Sequence, residues 1–153
     1  MTRRTGFILL AAGGSAALLI AALGSQYLGD LVPCKLCIWQ RWPHLAAVVI
    51  GVVALAWRGR LWPTLGMLAA LTTAGIALYH TGVEQHWWQG PTTCTTAPLG
   101  GMSADAAFTQ MMAAPLVRCD AIQWQLLGLS MAGWNMVISL GLALLWALAL
   151  RER

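Results

Sequence analysis

Between Thr5 and Gly29 the chain carries no Asp, Glu, Lys or Arg, and most of its residues there are Ala, Leu, Ile and Gly. A helix needs about 20 such residues to cross the hydrocarbon core of a bilayer. Three more stretches share this character. Ile38 to Trp57 is charged only at Arg41, Leu61 to Val83 has no acidic or basic residue apart from a histidine, and Met131 to Leu150 has none. Four membrane spans are therefore expected, at about 6–26, 38–57, 62–83 and 131–150. Pro43 is expected to kink the second span near its start. Pro63 is tolerable in the first turn of the third, where its missing N–H is no loss. Only 9% of the 153 residues are charged and 59% are hydrophobic, whereas a soluble domain carries about 25% charged residues. The fold expected is all-α, a single membrane four-helix bundle over 1–153, with no length left for a separate soluble domain.

The charges predict the orientation. Arg3, Arg4, Arg58, Arg60, Arg151 and Arg153, six of the nine basic residues, would share one face. By the positive-inside rule that face is cytoplasmic, with both termini on it. Nucleic acid is not an expected partner, since the basic residues flank apolar segments rather than cluster on a soluble element. Trp57 and Trp62 bracket the short inner turn, and Trp39, Trp42, Trp87, Trp88 and Trp134 lie near outer helix ends, where indoles favour the interface. Arg3-Arg4 followed by an apolar run resembles a signal peptide, but that run, about 19 residues, exceeds the usual h-region of about 7–15, so cleavage is not expected.

The outer face is left with two loops, at about 27–37 and about 84–130, the second far longer than an ordinary connector. In it, Ser103 can cap a short helix in which Asp105 suits the first turn and Phe108, Met111 and Met112 fall at i, i+3, i+4. This segment is expected to lie as an amphipathic helix on the membrane surface. All four cysteines, Cys34, Cys37, Cys94 and Cys119, also fall on the outer face.

The chemistry is expected in Pro33-Cys34-Lys35-Leu36-Cys37-Ile38-Trp39-Gln40-Arg41. Four cysteines allow three pairings. The CxxC pair is the natural local one, leaving Cys94 with Cys119. CxxC closes too small a ring to serve well as a staple and suits redox exchange instead. At a helix N-terminus the dipole favours a thiolate, the attacking species in disulfide exchange. Arg41 adds positive charge on the same helix face, at i, i+4 from Cys37; snorkelling to the headgroups is its simpler use. His80, near the outer end of the third span, is either an interfacial histidine or a hydrogen-bond donor to a quinone carbonyl. A four-cysteine zinc site usually shows two CxxC knuckles. Only one is present, so no metal is expected.

These residues resemble the PCxLCxxxR signature of the disulfide bond formation protein B family. The segment Cys119-Asp120-Ala121-Ile122-Gln123-Trp124-Gln125-Leu126-Leu127-Gly128 is similar to the family's sequence before its last helix. The resemblance runs through nearly the whole chain in order. It implies a bacterial inner-membrane enzyme that reoxidises a DsbA-like periplasmic thiol oxidase and passes the electrons to ubiquinone or menaquinone. It further implies redox-active disulfides Cys34–Cys37 and Cys94–Cys119, with Cys37 nearest the quinone and Cys94 attacked by the partner thiol. Cys119 would exchange with Cys34, Arg41 would bind and polarise the quinone, and His80 would lie near it. Two alternatives are a quinone-linked enzyme of the vitamin K epoxide reductase type and a non-enzymatic membrane subunit with stapled loops. In the first of these CxxC follows the loop pair rather than preceding it.

Overall fold

The structure is a computed structural model that describes residues 2–91, 103–112 and 117–152, with only the backbone for Gln110 and Met111. Its long helices are α1 (Arg3–Tyr27), α2 (Lys35–Ala56), α3 (Leu61–Glu84) and α5 (Met131–Arg151), with a short α4 (Ala104–Met112) between the last two. All four long helices have the length and hydropathy to cross a membrane.

Caps account for most of the differences from the expected boundaries. Thr2 accepts the Thr5 N–H to start α1, and Ser130 Oγ accepts the Gly133 N–H at 3.1 Å to start α5. The α2 helix begins at Lys35, three residues before the expected Ile38, because Cys34 is its N-cap. This shift draws both cysteines into the helix start. Pro43 lies inside α2, which continues past it to Ala56. Ser103 Oγ accepts the Ala106 N–H at 3.3 Å at the head of α4, as its spacing suggested.

Two two-residue strands, β1 (Gln125–Leu126) and β2 (Leu129–Ser130), form an antiparallel hairpin just before α5. Leu127 and Gly128 at its tip both have positive φ, 53° and 80°, the primed-turn geometry of a two-residue hairpin loop. This small β element was not anticipated. Trp134 Nε1 donates to Leu126 O at 3.0 Å and ties the hairpin to the first turns of α5.

The helix order closes a ring: α1 packs on α2 and α5, and α3 packs on the same two. Arg4 reaches across one end to Gly59 O at 3.0 Å, so the start of α1 and the α2–α3 turn share an end. Trp57 and Trp62 stack at 6.4 Å there. At the other end Trp88 stacks on Tyr79 at 6.0 Å and donates to the Tyr79 carbonyl. The outward faces carry large exposed apolar residues such as Leu10, Ile20, Val49, Val52, Leu68 and Leu144, the surface of a bundle whose solvent is lipid.

Inside the ring two different cores sit one above the other. The one near the termini is apolar: Ile8, Ala11, Ala54, Ala70, Leu142, Ala143 and Ala149 surround Trp146, which is fully buried. Glycine makes room for the indole. A Cβ at Gly66 would lie 2.5 Å from Trp146 Cε2, well inside van der Waals contact. The opposite end holds Cys34, Leu36, Val83 and Cys119, with Cys37 and Val117 against them.

Candidate active site: a buried dithiol above a polar chain

Cys34 and Cys37 are unbonded thiols with their sulfurs 2.9 Å apart. Cys34 ends the extended approach to α2, and its Sγ accepts the Cys37 N–H at 3.2 Å. One spare helix N–H is thus satisfied by sulfur instead of a hydroxyl or carboxylate. Cys34 is buried and faces α3, while Cys37 is half-buried.

His80 comes from the last turns of α3, and its Nε2 lies 3.6 Å from Cys34 Sγ and 3.2 Å from the Cys119 carbonyl. Gln40 Nε2 donates to His80 Nδ1 at 2.9 Å and to Leu36 O. Because Nδ1 accepts, the proton of a neutral ring sits on Nε2, aimed at Cys119 and Cys34. Glu84 Oε1 is 3.8 Å from the same nitrogen, one helical turn on, and its other oxygen accepts from Ser130 Oγ. Ser130 therefore caps α5 and anchors Glu84 at once.

The polar chain continues into the bundle. Asn135 Nδ2 donates to Gln40 Oε1 at 2.6 Å and to Thr73 Oγ1 at 3.3 Å, and Thr73 Oγ1 donates to the Gln40 carbonyl. Asn135 Oδ1 accepts from His44 Nε2 at 2.9 Å and from Ser139 at 3.2 Å. In lipid such groups must be satisfied within the protein, and α2, α3 and α5 each contribute to doing so.

Arg41 points the other way, toward α1. Its Nη1 donates to Gln26 Oε1 at 2.7 Å and its Nη2 lies 3.4 Å from Ala22 O. Leu23, Ile38 and Trp42 are exposed on the neighbouring lipid-facing surface. Within α2, then, Arg41 stands by α1, while Cys34 stands by His80 and Cys119, with Cys37 packed against the same cluster one turn above Arg41.

Cys119 is buried and disulfide-bonded. The next residue, Asp120, takes a two-point ion pair from Arg118, at 2.9 and 2.6 Å. That guanidinium holds the Asp120 carboxyl below the usual carboxylate range, and the carboxylate in turn raises Arg118. Gln123 Nε2 donates to Val32 O at 3.1 Å, joining this segment to the chain that leads into CxxC.

Of the residues singled out from sequence, Cys34, Cys37, His80 and Cys119 are brought together. Arg41 sits one turn below Cys37, and Cys94 lies outside the described residues. His80 is placed against Cys34 with both ring nitrogens partnered by protein groups, not out on the lipid face. Gln26, Gln40, Thr73, Glu84, Ser130 and Asn135 were not anticipated as parts of the site. Their signal was nonetheless present: an amide, hydroxyl or carboxylate within or at the end of an apolar span is rarely idle.

Residues 3–149 match the family Disulfide bond formation protein DsbB. A protein of Hahella chejuensis named Disulfide bond formation protein B is 32% identical over 163 aligned positions, covering 97% of this chain and 94% of that protein. Proteins of the same name from Verminephrobacter eiseniae and Xanthomonas axonopodis pv. citri are each 35% identical, covering 87% of this chain and 79% and 81% of their own lengths.

Proposed function

This chain belongs to the disulfide bond formation protein B family and is a multi-pass membrane protein of disulfide-bond formation. From that premise we propose that it oxidises the dithiol of a DsbA-like periplasmic protein and delivers the electrons to a membrane quinone, ubiquinone or menaquinone. It works in the bacterial inner membrane, with its dithiol end toward the periplasm and both termini in the cytoplasm. The observation that carries this proposal is the setting of CxxC, with Cys34 packed against Cys119 and the half-buried Cys37 beside them, one helical turn from Arg41.

The exchange sequence conserves electrons at each step. A partner thiolate attacks Cys94 of a Cys94–Cys119 disulfide, and the second partner thiol completes its own disulfide, leaving two thiols on the loop. Cys119 then attacks Cys34 of an oxidised Cys34–Cys37 pair, and closure of the loop disulfide leaves the CxxC dithiol reduced. When bound, the quinone supplies an acceptor for two electrons and two protons, so that CxxC closes again.

The protein's own groups prepare this last step. The Arg41 guanidinium, with five N–H donors, is steadied by Gln26 on a face rimmed by apolar side chains. A cation with planar donors beside lipid fits a quinone carbonyl and the negative charge that develops on it. The N-terminal dipole of α2 favours negative charge on sulfur. His80 acts at Cys34, where its Nε2–H steadies the sulfur, and Gln40 fixes the ring's tautomer.

The protein in lipid, mixed with a reduced DsbA-like protein and a quinone, should consume one quinone for each partner disulfide formed. Cys37→Ser should reduce that turnover to background. Absence of turnover in the wild type under these conditions would sink the proposal, and wild-type rates in the mutant would remove Cys37 from its assigned position.

A further inference from the structure

Three metal-ligating atoms converge at the dithiol end. The Sγ atoms of Cys34 and Cys37 and the Nε2 of His80 all lie within 4.8 Å of one another. This differs from the four-cysteine arrangement weighed from the sequence, since the third ligand comes from a different helix. We propose that the reduced dithiol is a binding site for a thiophilic divalent cation, zinc in the first instance, held by Cys34, Cys37 and His80.

The geometry is close to what zinc needs. Bond lengths of about 2.3 Å to sulfur and about 2.0–2.1 Å to imidazole, at tetrahedral angles, place S and N about 3.6 Å apart and the two sulfurs about 3.8 Å apart. Cys34 Sγ and His80 Nε2 already stand at 3.6 Å. The sulfurs, at 2.9 Å, must open by about 0.9 Å, within reach of a small side-chain rotation at the half-buried Cys37. The fourth position is left to water, next to Glu84.

The charges also balance. The cation displaces two thiol protons, which leave to water, and no electrons move. Two thiolates, a neutral imidazole and a divalent cation sum to zero, whereas an unpaired dithiolate at this buried boundary would be costly. With Nε2 on the metal, the ring proton moves to Nδ1, and Gln40 must accept there. Turning its amide over does this when the Asn135 amide, which donates to Gln40 Oε1, turns with it and donates to His44 and Ser139 instead, and metal-bound histidines ordinarily donate their second N–H to such a fixed acceptor. Gln40 is then a positioning residue for the site.

Metal and disulfide compete for the same two sulfurs, so zinc stalls CxxC in its reduced form. At free zinc a hundredfold above its dissociation constant, the reduced form gains about 100-fold. For a two-electron couple at about 29.6 mV per tenfold, that raises the potential of the CxxC couple by about 59 mV, which holds it in the reduced form.

The test needs neither quinone nor partner protein, so it stands or falls apart from the proposed electron route. Co2+ is titrated without oxygen into the reduced, full-length protein in lipid nanodiscs. The expected result is a one-to-one complex with thiolate-to-cobalt charge-transfer bands, discharged by zinc and absent from protein whose CxxC is oxidised. Cys34→Ser and Cys37→Ser should each weaken the bands and the affinity. His80→Ala should cost about tenfold or more, Gln40→Leu about 10–100-fold, and joint replacement of Cys94 and Cys119 by serine should leave the spectrum intact. Wild-type protein gives a readout free of folding artefacts: bound zinc should protect Cys34 and Cys37, not the loop thiols, from alkylation read by mass spectrometry. No bands in the reduced wild type, bands that survive loss of both CxxC thiols, or protection of the loop pair instead would overturn the site.

Discussion

The two ends of this bundle are stabilised by opposite means. Around Trp146 the packing is apolar and close, with Gly66 giving up a side chain to the indole and Gly51 one to Ala12 of α1. Around Cys34 the interior is polar and sulfur-rich, and its order comes from hydrogen bonds that run from His80 through Gln40 and Asn135 to His44 and Ser139. Shape sets the first end and donor–acceptor matching sets the second. A site that must hold a dithiol, an imidazole and a carboxylate in fixed relation beside lipid cannot rely on apolar packing alone. Apolar contacts are non-directional, whereas each hydrogen bond fixes an orientation.

Substitutions at the two ends should therefore fail differently. The largest effect on stability is expected from Trp146→Ala, about 3–5 kcal/mol from lost contacts and the cavity left behind, measured by detergent-driven unfolding. Turnover per folded molecule should remain near wild type; a large loss of turnover in the folded fraction would mean that the two ends are coupled. Asn135→Leu keeps the volume but strands Gln40 and His44. The expected cost is about 1–3 kcal/mol for an unpaired buried group, together with slower quinone reduction because His80 loses the support of Gln40. If Asn135→Leu were neutral in both, the polar chain would be filler rather than framework.

Smaller effects should sharpen the division within α2. Arg41→Lys replaces a planar fork with a point charge and should raise KM for quinone by about tenfold, the equivalent of one charged hydrogen bond. Thiol exchange with the partner, followed without quinone, should be unchanged. An unaltered KM would leave Arg41 as a residue that snorkels to headgroups.

Asp120→Asn should have the smallest effect, under about 1 kcal/mol for a pair whose arginine is half exposed. Its sign follows from the lowered Asp120 pKa. The pair's contribution is present above the ordinary carboxylate value of 3.8 and is lost as pH falls through the lower folded value. Wild type and mutant should therefore differ at neutral pH and converge in acid. A difference that persisted or grew in acid would assign the stabilisation to something other than the ion pair.

Much of this was legible beforehand, and the reasons are specific. Charge-free runs marked the spans because few other structures tolerate so many consecutive apolar residues. Ser103 and the Phe108–Met112 spacing marked α4 for the same kind of local reason. The start of α2 was set three residues late because hydropathy averages over a window, whereas the boundary depends on one sulfur accepting one N–H at Cys34. The hairpin before α5 escaped notice because two-residue strands carry almost no periodicity, and Leu127 is an unusual residue at positive φ. Gln40, Asn135 and Glu84 escaped because each is unremarkable alone, their partners being 40 to 95 positions away.

By itself the sequence determined that the chain crosses a membrane four times and carries a CxxC at the mouth of one span with an arginine beneath it. Hydropathy and i, i+4 spacing are local properties, and they survive any rearrangement of the helices. Only the tertiary structure decided which way each side of that CxxC looks. Cys34 is set toward His80 and Cys119 because α3 packs on that side of α2, and Arg41 is set toward Gln26 because α1 packs on the other. The direction of a side chain across a helix interface depends on neighbours distant in sequence, and no window along the chain contains them.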